Sequence, residues 1–370
     1  MVRNVSYGHF SATVHLNAPV ARFPANPILT AADVNLALRD PALQVVTVHN
    51  AGVTRHNDET VMLFRSHLRC GKSILGIARS SDGVGDWRID PHPALSPATK
   101  KDHFAGGVDS AAQQAMEAGG VEDPRIMYMG GTYAVTYNAY DAKIKNRVRV
   151  CLAVTEDFTH FVRYGPILEQ DMRNVVLFPE TFGGRYAGLF RPNDDIPGDT
   201  GGTFTQICIG YADDWRGDRW EISERPIMRT GMGPSAFSDK IGPGAPPFRT
   251  AQGWLNLFHG VRTTMDGNPY VLGVALHDLH DPSRVKMSSI PILFPTAADC
   301  RVSASAYVHV PGVVFTCGAL CTDDGTVLVY YGGNDTVMNI GFSHVDVLVA
   351  LCERYGQDPY SGSLLYTLGH

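Results

Sequence analysis

The feature that most limits what this 370-residue chain can fold into is a compound repeat of two short strands, present five times. Its first half is an aromatic-rich strand: "ETVMLFRS" (59–66), "GTYAVTYNA" (131–139), "GRYAGLFRP" (184–192), "GWLNLFHG" (253–260) and "GTVLVYYGG" (325–333). Its second half is a strand ending in small and polar residues before an acidic turn: "LGIARSSDGVGDW" (75–87), "CLAVTEDFTHF" (151–161), "CIGYADDWRGDRW" (208–220), "LGVALHDLHDPSRV" (272–285) and a degenerate "NIGFSHVDVLVAL" (339–351). One small antiparallel sheet cannot bury both faces alone, so multi-strand repeats spaced roughly 50–75 residues apart must pack against one another. The expected fold is all-β, a five-bladed β-propeller formed as a single catalytic domain over residues 1–370. A β-sandwich or a pair of barrels is the competing arrangement, since turn signals recur in all-β chains generally.

Helical periodicity is scarce. Residues 96–120, "SPATKKDHFAGGVDSAAQQAMEAGG", read as an excursion between blades, helical in composition at 111–117. "TAADVNLAL" (30–38) opens on Thr30, a helix N-cap residue type, and predicts a short turn of helix. With 44% apolar and 18% charged residues the chain can bury a large core.

A formal charge of -6 with His neutral, and no Lys/Arg-rich run, excludes an electrostatic footprint for nucleic acid or an anionic membrane. The opening "MVRNVSYGHF" lacks the apolar core of a signal peptide, and no run of about 18 apolar residues occurs, so a cytoplasmic location is expected. Seven cysteines without CxxC or Cys/His ligand spacing fit free thiols in a reducing compartment. "GVGDW" and "GPGAPP" have the glycines of phosphate loops but no Walker lysine-serine pair and no Rossmann context. No GxSxG elbow or metal-ligand cluster accompanies them, and neither a metal nor a cofactor is expected. The oligomeric state stays open, a homo-oligomer included.

The first-half strands carry, or are closely followed by, Arg65, Asn138, Arg191, His259 and Asp335. One charged residue on an alternating strand is ordinarily a solvated face; charged or polar groups at matched places in five repeats suggest convergence on one mouth. Arg173 in "DMRNVVLFPE" and Lys240 in "SAFSDKIGPGAPPF" lie near turns. If Arg173, Arg191, Lys240 and His259 converge, they form a site for a compact dianion, because guanidinium forks grip oxygens in pairs and lysine adds a point charge. Phosphate is the ligand this favours; sulfate or a substrate carboxylate satisfies the same physics. "GGNDTV" (332–337) reads equally well as a hairpin turn, with Asp335 bonding backbone donors.

"GGVEDPRIMYMGGTYAVTY" (119–137) places Glu122, Asp123 and Arg125 around a proline just before a strand. Alone, this is an Asp-Pro turn with a solvated ion pair. Together with "HNAGV" (49–53), "NVVLFPE" (174–180), "GLFRP" (188–192), "KIGPGAPP" (240–247), "GWLNLFHGV" (253–261) and "YYGGNDTV" (330–337), however, "VEDPRI" (121–126) resembles the glycoside hydrolase family 130 enzymes. The resemblance runs from about Asn26 to Cys352. It implies a five-bladed β-propeller and an inverting β-mannoside phosphorylase, with inorganic phosphate and a β-mannoside oligosaccharide as co-substrates and α-mannose 1-phosphate as a product.

By that resemblance Asp123 is the single catalytic acid, acting through the sugar 3-hydroxyl as a relay. Arg173, Arg191, Lys240 and His259 bind phosphate, and Asn50, Arg65 and Asp335 grip the mannosyl ring. An inverting glycosidase needs a second carboxylate to activate water, whereas phosphate arrives already nucleophilic and needs only to be held in line. Asp123 would then have to be protonated, through an upward pKa shift from burial or from Glu122 or Asp335. Arg125 is expected to turn away from Asp123 and pair with Glu122 or a neighbouring blade. Glu122 stands where some family members carry a phosphate-holding tyrosine, and the 96–120 excursion has no counterpart and is a candidate for reshaping the +1 subsite. The rival readings are a water-using inverting β-mannosidase, with Glu180 as the nearest candidate base, and a non-catalytic carbohydrate-binding propeller.

Overall fold

The computed structural model describes residues 1–370 apart from 39, 144–146, 193–205, 218, 232–234, 266, 359–362 and 364–370. The chain is mostly β rather than all-β. Among the described residues there are three α-helices, α1 (Ala31–Ala37), α2 (Ser110–Met116) and α3 (Val345–Arg354). Thr30 caps α1 as expected, in a reciprocal capping box with Asp33.

Each two-strand repeat is the middle of a larger antiparallel unit. The paired strands are Glu59–His67 with Ser73–Ser80, Thr132–Tyr140 with Val148–Thr155, Arg185–Pro192 with Cys208–Ala212, Trp254–Val261 with Tyr270–His277, and Thr326–Gly333 with Val337–His344. A preceding strand lines one edge of each pair: His49–His56, Gly120–Met129, Met172–Phe182, Lys240–Pro243 and Val314–Cys321. A fourth, shorter strand lines the other edge. In the fifth unit it is Ala21–Arg22 from the other end of the chain, paired with Gly341 and Phe342.

Alternation explains how these sheets are stabilised. Val61 and Leu63 point to one face of their strand, Met62 and Phe64 to the other, and all four are fully buried. Such a sheet must be covered on both sides. The core accordingly divides into clusters lying between successive units: Leu63 and Ile77 meet Val135 and Tyr137, Leu152 meets Leu177 and Phe190, Phe178 meets Ile241 and Phe258, Leu257 meets Val329 and Tyr331, and Phe64 meets Tyr330 and Ile340 of the fifth unit. The order is cyclic, and the fifth unit packs back on the first.

The repeat signature has a packing cause. Phe64, Phe190 and Phe258 lie across the next strand at Gly76, Gly210 and Gly273, where an added Cβ would fall 2.3, 2.7 and 2.3 Å from the ring. The "LG" and "IG" of the second half are where these rings lie.

The first strand of four units is bulged. Register slips between His49 and Gly52, between Glu122 and Arg125, between Arg173 and Val176, and between Thr316 and Gly318. Asn50, Asp123 and Asn174 occupy the first three slips with positive φ of 49°, 50° and 60°, which re-aims their side chains out of the ladder. The bulged strands neighbour one another: His49–His56 packs on Gly120–Met129 and on Val314–Cys321, and Met172–Phe182 packs on Gly120–Met129 and on Lys240–Pro243.

Residues 96–120 dock on the second unit. His103–Phe104 pairs with Val162–Pro166, and Glu117 is fully buried, accepting hydrogen bonds from Tyr137 (2.6 Å), Gln113 (2.6 Å), the Ala98 amide (2.8 Å) and Arg163 (2.9 Å). Burial pushes the Glu117 carboxyl up despite Arg163 and these donors.

Candidate active site

Where the bulged strands meet, a cavity of about 130 Å³ is lined by Asn50, Arg65, Asp123, Arg173, Asn174, Arg191, Lys240, His259, Tyr270, Val313, Phe315 and Asp335. The eight residues assigned to acid, phosphate and sugar by the resemblance all line it, drawn from all five units, whereas Asn138 does not line it but donates to Asp123. The register shows how. Arg65, Asn138 and Arg191 pair with His49, Glu122 and Arg173, each the residue just before its neighbour's bulge, and His259 pairs with Gly242 of an unbulged strand. In the fifth unit that place belongs to Tyr331, opposite Thr316, and not to Asp335. The Tyr331 hydroxyl donates to Asp299 at 2.8 Å. Asp335 reaches the cavity from the turn after the strand, with φ of 48°.

Asp123 is nearly buried, and N–H donors surround it. Its Oδ1 accepts from Asn50 and Arg65, both at 3.0 Å, and its Oδ2 accepts from Asn138 at 3.2 Å. Burial raises its pKa, but the charges of Arg65 and Arg125 and these hydrogen bonds outweigh it and hold the carboxyl below its ordinary range. The expectation of an upward shift is therefore wrong for the empty cavity, because both arginines bear on this carboxylate. Asp335 is the group that moves up, to about 7: burial and the neighbouring charges of Asp123 and Glu122 outweigh Arg65.

Arg125 turns away from the Asp123 carboxylate, as expected, and it chooses the neighbouring unit over Glu122. Its Nε donates to Gly244 O (2.9 Å), Nη2 to Asn174 Oδ1 (3.0 Å) and Pro243 O (3.3 Å), and Nη1 to the Asp123 backbone carbonyl (2.8 Å). Glu122 pairs with Arg65 at 2.8 Å and accepts from Ser73 Oγ at 2.8 Å. Arg65 is thus held by two carboxylates and by His67, whose Nε2 must accept from it at 2.8 Å.

In the same cavity Arg173, Arg191 and Lys240 supply positive charge. His259 does not, since burial and the charges of Arg191, Arg125 and Lys240 push its pKa well down and leave a neutral imidazole. Of the four residues expected to hold a dianion, three are cations and one is a neutral ring. Arg173 Nε and His259 Nδ1 are buried without a hydrogen-bond partner. Glu180 lies elsewhere, about half exposed, and pairs with Arg249 at 2.6 Å. No residue of the 96–120 excursion lines the cavity.

Asn174, Tyr270, Val313 and Phe315 were not anticipated. Asn174 had a readable signal: "RNVV" takes the place in its repeat that "HNAG" and "EDPR" take in theirs. Phe315 stacks near His259 at 4.5 Å between centroids, and Lys240 Nζ lies 5.6 Å from the Tyr270 ring centre. Nothing in the local sequence distinguishes those two aromatic residues from core residues.

Residues 19–354 match the family model described as beta-1,4-mannooligosaccharide phosphorylase. Among curated relatives, the 1,2-beta-oligomannan phosphorylase of Thermoanaerobacter sp. (strain X514) is 33% identical over 277 residues, 74% of this chain and 80% of that protein. The 4-O-beta-D-mannosyl-D-glucose phosphorylase of Bacteroides fragilis is 29% identical over 328 residues, 85% of this chain and 77% of that protein. Among solved structures, the Listeria innocua beta-1,2-mannobiose phosphorylase in complex with beta-1,2-mannobiose superposes with a TM-score of 0.73 at 25% identity, covering 90% of this chain and 99% of that one. With a family model matched along most of its length, the chain belongs to glycoside hydrolase family 130.

Proposed function

We propose that this protein is an inverting β-mannoside phosphorylase built on a five-bladed β-propeller, cleaving its substrate with inorganic phosphate to give α-mannose 1-phosphate and a free or shortened acceptor. The cyclic packing of five antiparallel units and the ring of bulged strands support the propeller. One observation carries the function: Asp123 shares a single small cavity with Arg173, Arg191 and Lys240. An acid and anion-binding groups around one space are what displacement at an anomeric carbon by phosphate needs. Phosphate held by the cations is oriented for in-line attack, and Asn50, Arg65 and Asp335 position the mannosyl ring beside Asp123.

Water-dependent hydrolysis would need a second carboxylate placed as base. Among the described residues, the only carboxylates lining the cavity are Asp123 and Asp335, and Glu180 is engaged by Arg249 outside it. β-1,2-Linked mannobiose is the first substrate to offer, because phosphorylases named for that linkage are among the relatives. Seven free cysteines suit a cytoplasmic location.

The test is incubation with β-1,2- and β-1,4-mannobiose and mannosyl-glucose, with and without phosphate, assaying α-mannose 1-phosphate against free mannose. Phosphate-dependent formation of the sugar phosphate is expected; mannose release without phosphate would overturn the reading. Arg191→Ala should lose at least ~10²-fold in kcat/KM for phosphate while sugar binding persists, the loss expected for a charge-assisted bond in a closed site.

A further inference from the structure

The cavity holds two carboxyl groups, Asp123 buried and Asp335 half-buried, whose surroundings differ in kind. Among the described residues, the groups bonded to the Asp123 carboxylate are all N–H donors, from two side-chain amides and a guanidinium. That is a setting for a carboxylate. Asp335 shares the cavity, yet its Oδ1 is sealed from solvent with no donor to it. An ionised carboxylate with an uncompensated buried oxygen is costly, and the neutral acid avoids that cost. Asn50 touches both carboxyl groups: its amide donates to Asp123, and its hydrogen bond to Asp335 favours the ionised form but does not outweigh burial and the neighbouring carboxylates.

We propose that the resting enzyme keeps its catalytic proton on Asp335, and that Asp335 passes this proton to Asp123 when phosphate and mannoside fill the cavity. The charged and titratable groups around the pair are Arg65 of the first unit, Glu122 and Arg125 of the second and Cys317 of the fifth, with Arg173, Arg191, Lys240 and neutral His259 in the same cavity. Arg65 decides the direction of transfer. In the empty site its Nη1 is bonded to Asp123, and its charge also bears on Asp335. A phosphate dianion brought into the same cavity adds negative charge near Asp123 against the hold of Arg65 and Arg125, which makes that carboxylate a better proton acceptor. Asp335, once ionised, remains beside Arg65.

The cycle balances. The proton moves from the Asp335 acid to the Asp123 carboxylate, then to the leaving oxygen as the C1–O bond breaks and the C1–O–P bond forms. Hydrogen phosphate carries one proton of its own, and the mannosyl phosphate releases it to refill Asp335. Where the proton rests in the empty site does not depend on the phosphorylase reading; its later use does.

The experiment is a carboxyl NMR titration of ligand-free protein labelled with ¹³C at the aspartate side-chain carboxyl, in wild type, Asp335→Asn and Asp123→Asn. Wild type should show an aspartate titrating at about 7. That transition should vanish in Asp335→Asn and persist, displaced to lower pH, in Asp123→Asn, where the repelling charge is gone. Loss of the transition in Asp123→Asn, or its absence from wild type, overturns the proposal, and both outcomes stand even if Asp335→Asn does not fold. No substrate is present, so a failure here is distinct from a failure to form mannose 1-phosphate.

Discussion

Replacing Arg125 with methionine tests whether one guanidinium both joins the units and shapes the acid. Arg125 is 1% exposed and donates to the Gly244, Pro243 and Asp123 carbonyls and to Asn174 Oδ1, linking the second, third and fourth units. Methionine fills similar space but leaves four acceptors without that donor. A single orphaned buried acceptor costs roughly 1–3 kcal/mol, and releasing a desolvated guanidinium that has no carboxylate partner returns part of the total, so a net loss of about 3 kcal/mol is expected. Chemical denaturation would show this as a lower midpoint at an unchanged slope.

The second effect is electrostatic. Arg125 is one of the charges holding Asp123 below its ordinary pKa, so its removal moves Asp123 up. In the substrate-bound enzyme Asp123 then keeps the proton it receives to higher pH, and the alkaline limb of the kcat profile shifts upward. Arg125→Lys restores the charge but not the fork, and should recover the pH profile more fully than the stability. A methionine variant that lost less than about 1 kcal/mol with an unmoved alkaline limb would refute both parts of this reasoning.

Two further outcomes follow from close approach and from linkage. At Gly52 an added Cβ would lie 2.7 Å from the Pro124 carbonyl oxygen, so Gly52→Ala must push on the backbone of the turn that carries Asp123. It should cost about 1–3 kcal/mol by thermal unfolding and lower kcat more than it raises KM; a wild-type melting temperature would show that the turn yields freely. Asp335 has a folded pKa of about 7 against an ordinary 3.8, so its stabilising share is complete below 3.8 and is lost as pH rises through 7. Asp335→Asn should therefore be more stable than wild type above neutrality, by up to roughly 4 kcal/mol, with the advantage shrinking on acidification. An advantage independent of pH would show that the carboxyl does not titrate there.

The repeats were legible because their causes are local. Alternating apolar residues on doubly buried strands and a glycine under each phenylalanine ring leave a periodic trace in the sequence. The bulges leave only a positional one, the matched places of "HNAG", "EDPR" and "RNVV", since a register slip is defined by the partner strand. Asn174 passed unnoticed beside Arg173, although it occupies the same kind of slip as Asn50 and Asp123. Asp335 was found for a partly mistaken reason: the matched position belongs to Tyr331, and Asp335 enters from the turn. Charge states were the least legible. The neutrality of His259 and the reversal between Asp123 and Asp335 depend on which cations lie within a few ångströms, and that is a property of the assembled ring.

The strand Ala21–Arg22 completes the fifth unit about 320 residues away along the chain, beside Gly341 and Phe342, and the contact is clasped by a fork from Arg22 to Asp299 at 2.7 and 2.8 Å. That same unit supplies Asp335. A ribosome-bound chain can therefore build four sheets and present Asp123 with its cations, but it has no complete cavity until the late-made fifth sheet, with Asp335, meets the early-made strand. Ring closure and active-site completion become one event. A partly synthesised or unclasped molecule cannot act on substrate, so activity itself reports that this enzyme has finished folding.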